Sequence, residues 1–511
     1  MITARFEPLS LADAWSAALD RLTELDAVRR LWDGDHTVIQ QDPDECANRL
    51  GWLRAPEVAA SEWPRWALAA DEIVDGAGDA EAGSIDHVLV LGMGGSSLFP
   101  EVLARTFESG EGFPTLLILD STDPDAVARM LEQCDPEHTV VVVASKSGST
   151  IETRSHLELF WQRHPIGRRF VAITDPGSGL EALARDRGFR DVFHGDPEIG
   201  GRFSALSAFG LVPAALMGLD ATALLDTAAE AMELLGPETP VEHHVGCQLG
   251  ALMAVAAAAG RDKLTFHLDD RLAPLGAWLE QLIAESTGKH GVGILPVLGE
   301  GADAPDPDGR LHVVIGDAAV DPTTLSGPWV HLAVEEPDDL GAQVYLWEWA
   351  TTIAGIVLGI NPFDQPDVES AKVAARSVLE QDADPPRSGN VEEALALLRP
   401  GDALVIGAFA DPALEPQLQG ARAALARRAG VASTLGMGPR FLHSTGQLHK
   451  GGADRIVVLQ VLVAPAQDLA IPGESFTFGR LERAQADGDL AALQAAGKRV
   501  VRVELMDLLQ G

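Results

Sequence analysis

The sequence predicts an α/β protein with two doubly wound units built on parallel sheets. Short, unbroken apolar runs alternate with longer helix-like segments, and continuous Val/Ile/Leu strands are those buried on both faces of a parallel sheet. The alternation passes once through roughly 81–235 and begins again over 236–511. At 511 residues the chain also exceeds the ~250 to 300 residues at which one core stops growing.

Residues 1–80 precede this rhythm. Leu11 to Leu31 carry apolar side chains at helical spacing, and Trp52, Trp63 and Trp66 follow, so this segment is expected to be a helical cap or an extension facing a second copy. Strands are expected at 87–92, 115–120, 139–145 and 169–175 in the first unit. In the second they are expected at 263–270, 293–299, 310–317, 329–336, 402–409 and 455–463. The Pro-, Gly- and Asp-rich stretches 301–309 and 382–390 read as exposed loops or linkers.

Composition narrows the function. With 46% hydrophobic and 22% charged residues the chain is ordinary for a soluble globular protein. A net charge of −38 speaks against nucleic-acid and anionic-membrane partners, which need clustered Lys and Arg. The longest apolar stretch, Ala251 to Ala259, ends at Gly260 and Arg261, well short of the ~20 residues of a membrane helix. No secretory signal is visible in Met1 to Leu9, so a cytoplasmic location is expected. Cys46, Cys134 and Cys247 are too scattered for a disulfide framework or a CxxC metal site. His243, His244 and Cys247 carry zinc-type donors but have no evident fourth partner, and a helix start without metal is the expectation there. Only six of the 38 Lys and Arg residues are lysine, which draws attention to each lysine, because a point charge and a planar fork are not interchangeable.

In such sheets ligands bind beyond the carboxyl ends of the strands, where the strand order reverses. Two loops there suit phosphate. Gly92-Met93-Gly94-Gly95-Ser96-Ser97 runs from a strand into a helix, and so would turn amides and hydroxyls toward an anion. It also reads as a tight turn or an imperfect dinucleotide fingerprint, with Asp120 at the end of the next strand as the ribose ligand. Ser145-Lys146-Ser147-Gly148-Ser149-Thr150 gathers four hydroxyls and one ammonium ahead of a helix opening at Ile151 and Glu152, a donor set matched to a phosphate monoester.

Together the two loops resemble the first sugar-isomerase (SIS-type) domain of the glucose-6-phosphate isomerase family. The resemblance covers most of the chain after residue 85. Gly200-Gly201-Arg202 resembles the family's GGR segment, QLIAESTGK (281–289) its catalytic helix, NPFDQ (361–365) through Lys372 its FDQ segment, and FLHSTGQ (441–447) its histidine segment. It implies two SIS-type domains after a helical N-terminal segment, with no cofactor and no metal. It implies Gly95, Ser96, Ser145, Lys146, Ser147, Thr150, Glu152 and Gln281 as substrate-binding residues. The catalytic set it implies is Glu285 moving the proton, His443 opening the ring, Lys372 assisting at the oxygen and Arg202 stabilising the enediolate.

The order of motifs departs from the ordinary family pattern: the histidine segment comes last, after Lys372. That order resembles the isomerase half of transaldolase/isomerase fusion proteins, but residues 1–80 hold no room for a transaldolase barrel, and no such activity is expected. The altered order leaves His449 as a rival to His443. The implied function is reversible isomerisation of glucose 6-phosphate and fructose 6-phosphate by a homodimer, with a small sugar phosphate as the partner molecule. Isomerases of mannose or aminosugar phosphates, a non-catalytic sugar-phosphate sensor and a nicotinamide-dependent dehydrogenase are the alternatives.

Overall fold

The structure, a computed structural model, describes residues 2–76, 84–367, 379 and 388–510. It opens with a strand, β1 (Thr3–Glu7), where the apolar spacing predicted only helix. Helices follow at Ala12–Glu24, Ala27–Trp32 and Ala55–Gly76. Trp52, Trp63 and Trp66 are all buried, and Trp52 meets Trp349 edge-on at 5.4 Å and Phe203 at 5.6 Å. The N-terminal segment is therefore built into the chain's own core, joining helices from both halves.

The first sheet contains β2 (His87–Leu91), β3 (Thr115–Leu119), β4 (Thr139–Ala144), β5 (Phe170–Thr174) and β6 (Asp191–His194), all parallel, in the order β3-β2-β4-β5-β6. Every residue of β4 and β5 is buried, as expected for central strands covered by helices on both faces. The chain steps from β2 outward to β3 and returns on the other side of β2 as β4. This reversal makes the carboxyl ends of β2 and β4 a switch point.

The second sheet contains β7 (Lys263–Leu268), β8 (Leu295–Val297), β9 (Arg310–Ile315) and β10 (Trp329–Ala333), parallel in the order β10-β9-β7-β8, with β1 added antiparallel against β10. The strands expected at 402–409 and 455–463 do not extend it. They form a separate parallel sheet of β11 (Ala403–Phe409), β12 (Ala432–Gly438), β13 (Ile456–Leu462) and β14 (Arg499–Val503), in the order β12-β11-β13-β14. One edge of the second sheet is closed by β1 and the other by a three-residue strand, β8.

The strands that sequence reading missed, β1, β6, β12 and β14, all lie at sheet edges. An edge strand need carry no continuous apolar run: charged residues interrupt β1, β6 and β14 and glycines interrupt β12, whereas the edge strands β3 and β8 keep a run. The helix Leu275–Thr287 packs against the Leu98–Thr106 helix of the first unit, the Leu340–Leu358 helix, β8 and the Gly446–Gly451 helix, which places it where the three sheets meet. Among the described residues no helix is long and apolar enough to cross a membrane.

Candidate active site

A cleft of about 400 Å³ opens at this meeting point, a size suited to a small organic ligand. Gly95, Ser96, Ser145, Lys146, Ser147, Thr150, Arg202, Gln281, Glu285 and His443 all line it. Glu152 stands behind His443 instead, and Lys372 lies outside the described residues.

One wall is the switch point of the first sheet. In the loop after β4, Ser145 Oγ donates to Thr150 Oγ1 at 3.3 Å and accepts from Gly148 N at 3.2 Å, while Ser147 and Ser149 share a 2.8 Å hydroxyl contact. Thr150 occupies the N-cap of the Ile151–Arg163 helix without a side-chain capping bond, so the helix's leading N–H groups are not closed off by it. Lys146 Nζ donates to Asp196 O at 2.7 Å and pairs with Asp175 Oδ2 at 2.7 Å. Burial pushes its ammonium below the ordinary lysine range, against the pull of Asp175.

The loop after β2 comes so close to the Gly200-Gly201 turn that a Cβ on Gly95 would stand 1.9 Å from Gly201 O. Gly94 adopts φ +56°, and a Cβ there would meet Gln281 Nε2 at 2.7 Å. Glycine at these two positions lets the loop after β2 touch the elements that carry Arg202 and Gln281.

The facing wall holds Glu285, on the Leu275–Thr287 helix, with Oε1 3.1 Å from Arg202 Nη1. Arg202 is 3% exposed. It also donates to Ser286 Oγ (2.8 Å), Gln365 Oε1 (2.8 Å), Pro362 O (2.6 Å) and Asp364 O (3.1 Å). Gln281, one turn before Glu285, donates to Glu285 Oε2 at 3.2 Å and His443 O at 2.8 Å, while its Oε1 is buried without a partner. Lys289 is fully buried and holds the same 361–365 loop, donating to Asn361 O and pairing with Asp364 Oδ1, both at 2.7 Å. Burial and the neighbouring Arg202 charge push its pKa down to about 8.

The third component arrives from the last sheet. His443, in the turn after β12, presents Nε2 to Glu152 Oε1 at 2.9 Å. Glu152 is buried and also accepts from Gln485 Nε2 at 2.6 Å. Burial opposes its ionisation, but the His443 imidazole outweighs burial and holds the carboxyl below its ordinary value. His449 is buried against Phe441, 5.7 Å between rings, away from the cleft. Burial and the charges of Lys450 and Lys498 push its pKa down to about 3. Of the two histidines, His443 is the one that reaches the cleft.

Arg440 fastens this turn to the first unit. Its Nε donates to Asp120 Oδ2 at 2.7 Å, its Nη2 pairs with Glu101 Oε2 at 2.6 Å, and Ser97 Oγ also donates to Asp120 at 3.1 Å. The Asp120 carboxylate that a nicotinamide ribose would need is committed to this anchor. His244, one of the zinc-type donors, accepts from Cys247 N at 3.1 Å and caps the Val245–Ala258 helix.

Sequence reading gave no role to Glu45, Arg49, Asp175 or Gln365, which also line the cleft, nor to Arg440 and Gln485 behind it. Gln365 lay inside a recognised motif. Glu45 and Arg49 belong to a short irregular stretch between helices, where no periodic pattern marks either one.

Fold and site together define a doubly wound α/β protein whose switch-point loops, basic and hydroxyl-rich, face an acid-base pair across one cleft. The phosphoglucose isomerase family model matches residues 69–294. A glucose-6-phosphate isomerase of Synechococcus sp. (strain JA-3-3Ab) is 31% identical over 412 residues, covering 66% of this chain and 76% of that relative. One of Rubrobacter xylanophilus is 32% identical over 357 residues, covering 57% and 81%. A crystal structure of a Thermus thermophilus hypothetical protein, TT0462, superposes with TM-score 0.59 at 27% identity, covering 74% of this chain and 100% of that one. A Chlamydia trachomatis glucose-6-phosphate isomerase superposes with TM-score 0.59 at 22% identity, covering 72% and 86%. The chain belongs to the glucose-6-phosphate isomerase family. Glu45 and Arg49 lie ahead of the segment matched by the family model.

The contact at Gly95 gives a direct test of how the cleft is held. Gly95→Ala must push the Gly201–Arg202 turn away by more than an ångström, and a shift of that size costs about 100-fold in turnover. Isomerase activity within twofold of wild type, in a variant with unchanged melting temperature, would show that the two loops are not in register as described.

Proposed function

We propose that this chain interconverts glucose 6-phosphate and fructose 6-phosphate, without a cofactor, in the cytoplasm and as a homodimer. The observation that carries the reading is the pairing of Glu285 with Arg202, 3.1 Å apart, in the same cleft as the hydroxyl-rich loop 145–150.

The phosphate would rest on Ser96, Ser145, Ser147 and Thr150 beside Lys146, fixing the sugar with its other end toward Arg202. The closed ring must open first, by moving the O1 proton to the ring oxygen. His443 is the candidate for that transfer: its Nε2 is held by Glu152, leaving Nδ1 for the substrate. Lys372 is the candidate to assist at the oxygen.

In the open chain Glu285 would take the proton from C2, whose electron pair forms the C1–C2 double bond while the C1=O π pair moves onto O1; O1 takes up a proton to give the cis-enediol, and the O2 hydroxyl gives one up in the second half of the reaction. Returning that proton to C1, as the O2 hydroxyl becomes a carbonyl, gives the ketose. A carboxylate is a weak base for a carbon acid, so the developing enediolate charge needs a partner. Arg202 would be that partner through its buried charge, since its N–H groups are committed to protein acceptors. Gln281, with Oε1 buried and free of other bonds, is placed to accept from a sugar hydroxyl.

A sugar-phosphate sensor would need the phosphate loops alone, and a carboxylate paired with a buried guanidinium beside them favours chemistry over sensing. Coupled assays with glucose 6-phosphate and mannose 6-phosphate as separate substrates test the reading. Fructose 6-phosphate should form far faster from the glucose ester; equal rates, or preference for the mannose ester, would reassign the substrate.

Glu285→Gln keeps shape and most hydrogen bonding but removes the basic oxygen. Loss of a general base costs ~100- to 10,000-fold, so kcat should fall at least that far with little change in substrate affinity. Near-normal turnover in this variant would make Glu285 a structural acid of its helix.

A further inference from the structure

The described side chains of the cleft are charge-balanced before any substrate enters. Among the described residues three cations line it, and each already has a carboxylate: Lys146 with Asp175, Arg202 with Glu285, and Arg49 with Glu45 at 3.0 Å. A phosphate monoester brings about −1.5 to −2 more at neutral pH, into a chain whose net charge is −38. Its binding therefore depends on a cation that can serve its carboxylate and a phosphate together.

Arg202 cannot do so, because its N–H groups are already taken by protein acceptors. Lys146 has three donors, two of them directed to Asp196 O and Asp175. Arg49 has five. Its Nη1 donates to Asn48 O (3.0 Å) and Pro197 O (3.2 Å) and its Nη2 to Glu45 Oε1, while Nε donates to no described residue. Nε–H and the second Nη2–H remain.

The placement is fixed by neighbouring peptides. Asp196 O holds Lys146 and the next carbonyl, Pro197 O, holds Arg49, so the two cations stand side by side at one end of the cleft. Arg49 Cδ passes over the Gly200 backbone, 3.9 Å from where a Cβ there would lie. The stretch carrying Arg49 is tied down from both sides: Gly51 N donates to Glu198 O at 3.1 Å, and Asn361 Nδ2 to Glu45 O at 3.2 Å. The side chain is 16% exposed, so it is braced yet open to the cleft.

We infer that Arg49 is a phosphate ligand of this cleft, binding the substrate's phosphate beside Lys146 through the N–H donors that Glu45 and Pro197 leave free. The assignment extends the sugar-phosphate reading above and rests on it for the nature of the ester, but not for the anion. A planar guanidinium keeps its bond to Glu45 while adding charge-assisted bonds to phosphate oxygens, which an ammonium in the same place could do only in part.

The test uses inorganic phosphate and glucose 6-phosphate on the full chain, with Arg49→Met and Arg49→Lys. A lost charge-assisted contact should weaken inorganic phosphate binding, read by calorimetry, by about tenfold or more in Arg49→Met. KM for glucose 6-phosphate should rise by a similar factor with kcat within about twofold, and Arg49→Lys should recover part of both. Unchanged phosphate affinity and KM in folded Arg49→Met would overturn the assignment and leave Arg49 as a brace for the 45–51 turn. If Arg49→Met does not fold, Arg49→Lys carries the test: phosphate affinity and KM equal to wild type would overturn the assignment, and an intermediate loss supports it. Weakened phosphate binding in a chain whose wild type shows no isomerase activity supports Arg49 and defeats the reaction instead.

Discussion

A guanidinium buried to 3% exposure must find an acceptor for every N–H it carries, and Arg202 finds five: Ser286, Gln365, Glu285, Pro362 and Asp364. These acceptors come from the Leu275–Thr287 helix and from the 361–365 loop, while Arg202 itself follows the Gly200-Gly201 turn of the first unit. One side chain thus fixes three segments distant in sequence. An uncompensated buried charge is strongly destabilising, so the segments hold their positions together or not at all. Burial lowers the tendency of Arg202 to hold its proton, and Glu285 and Asp364 pull the other way. Lys289 grips the same loop from the other side through Asn361 O and Asp364, which leaves Glu285 and Gln365 little freedom to drift.

Around this fixed point the cleft receives one contribution from each sheet. The first supplies hydroxyls and amides at its switch point, the helix beside the second supplies Gln281 and Glu285, and the turn after β12 supplies His443. The histidine is the most remote in sequence, and its turn is fastened by two independent means. Arg440 is held by Asp120 and Glu101 at one end, and His443 itself by Glu152, which Gln485 braces from the Phe478–Ala495 helix. A histidine segment displaced to the end of the chain can still reach the cleft because these contacts pin it to the first unit rather than to its own sheet.

Much of this was legible in the sequence. Central strands announce themselves through apolar runs because they are covered on both faces, and the loops after β2 and β4 followed from where such strands end. Lys146, Arg202, Gln281, Glu285 and His443 stood in motifs dense enough to single out. The edge strands β1, β6, β12 and β14 were not legible, since charged residues or glycines interrupt their apolar runs, and neither was the separate third sheet, because runs at 402–409 and 455–463 say nothing about which strand they join. Arg49 was invisible for a different reason. Its position depends on the carbonyl of Pro197 and on the turn at Glu45, contacts across 148 residues that no local pattern encodes. Glu152, which the resemblance implies as a substrate-binding residue, turns its carboxylate toward His443 and Gln485.

In the proposed reaction a carboxylate of this cleft carries a proton from C2 to C1. Glucose 6-phosphate deuterated at C2, converted in ordinary water and followed by NMR and mass spectrometry, tests it most directly. A proton resting on Glu285 can exchange with solvent, so part of the label should reach C1 of fructose 6-phosphate and part should be lost to water. Complete retention of deuterium at C1 under all conditions would mean that hydrogen moves directly between the carbons, and would contradict the account.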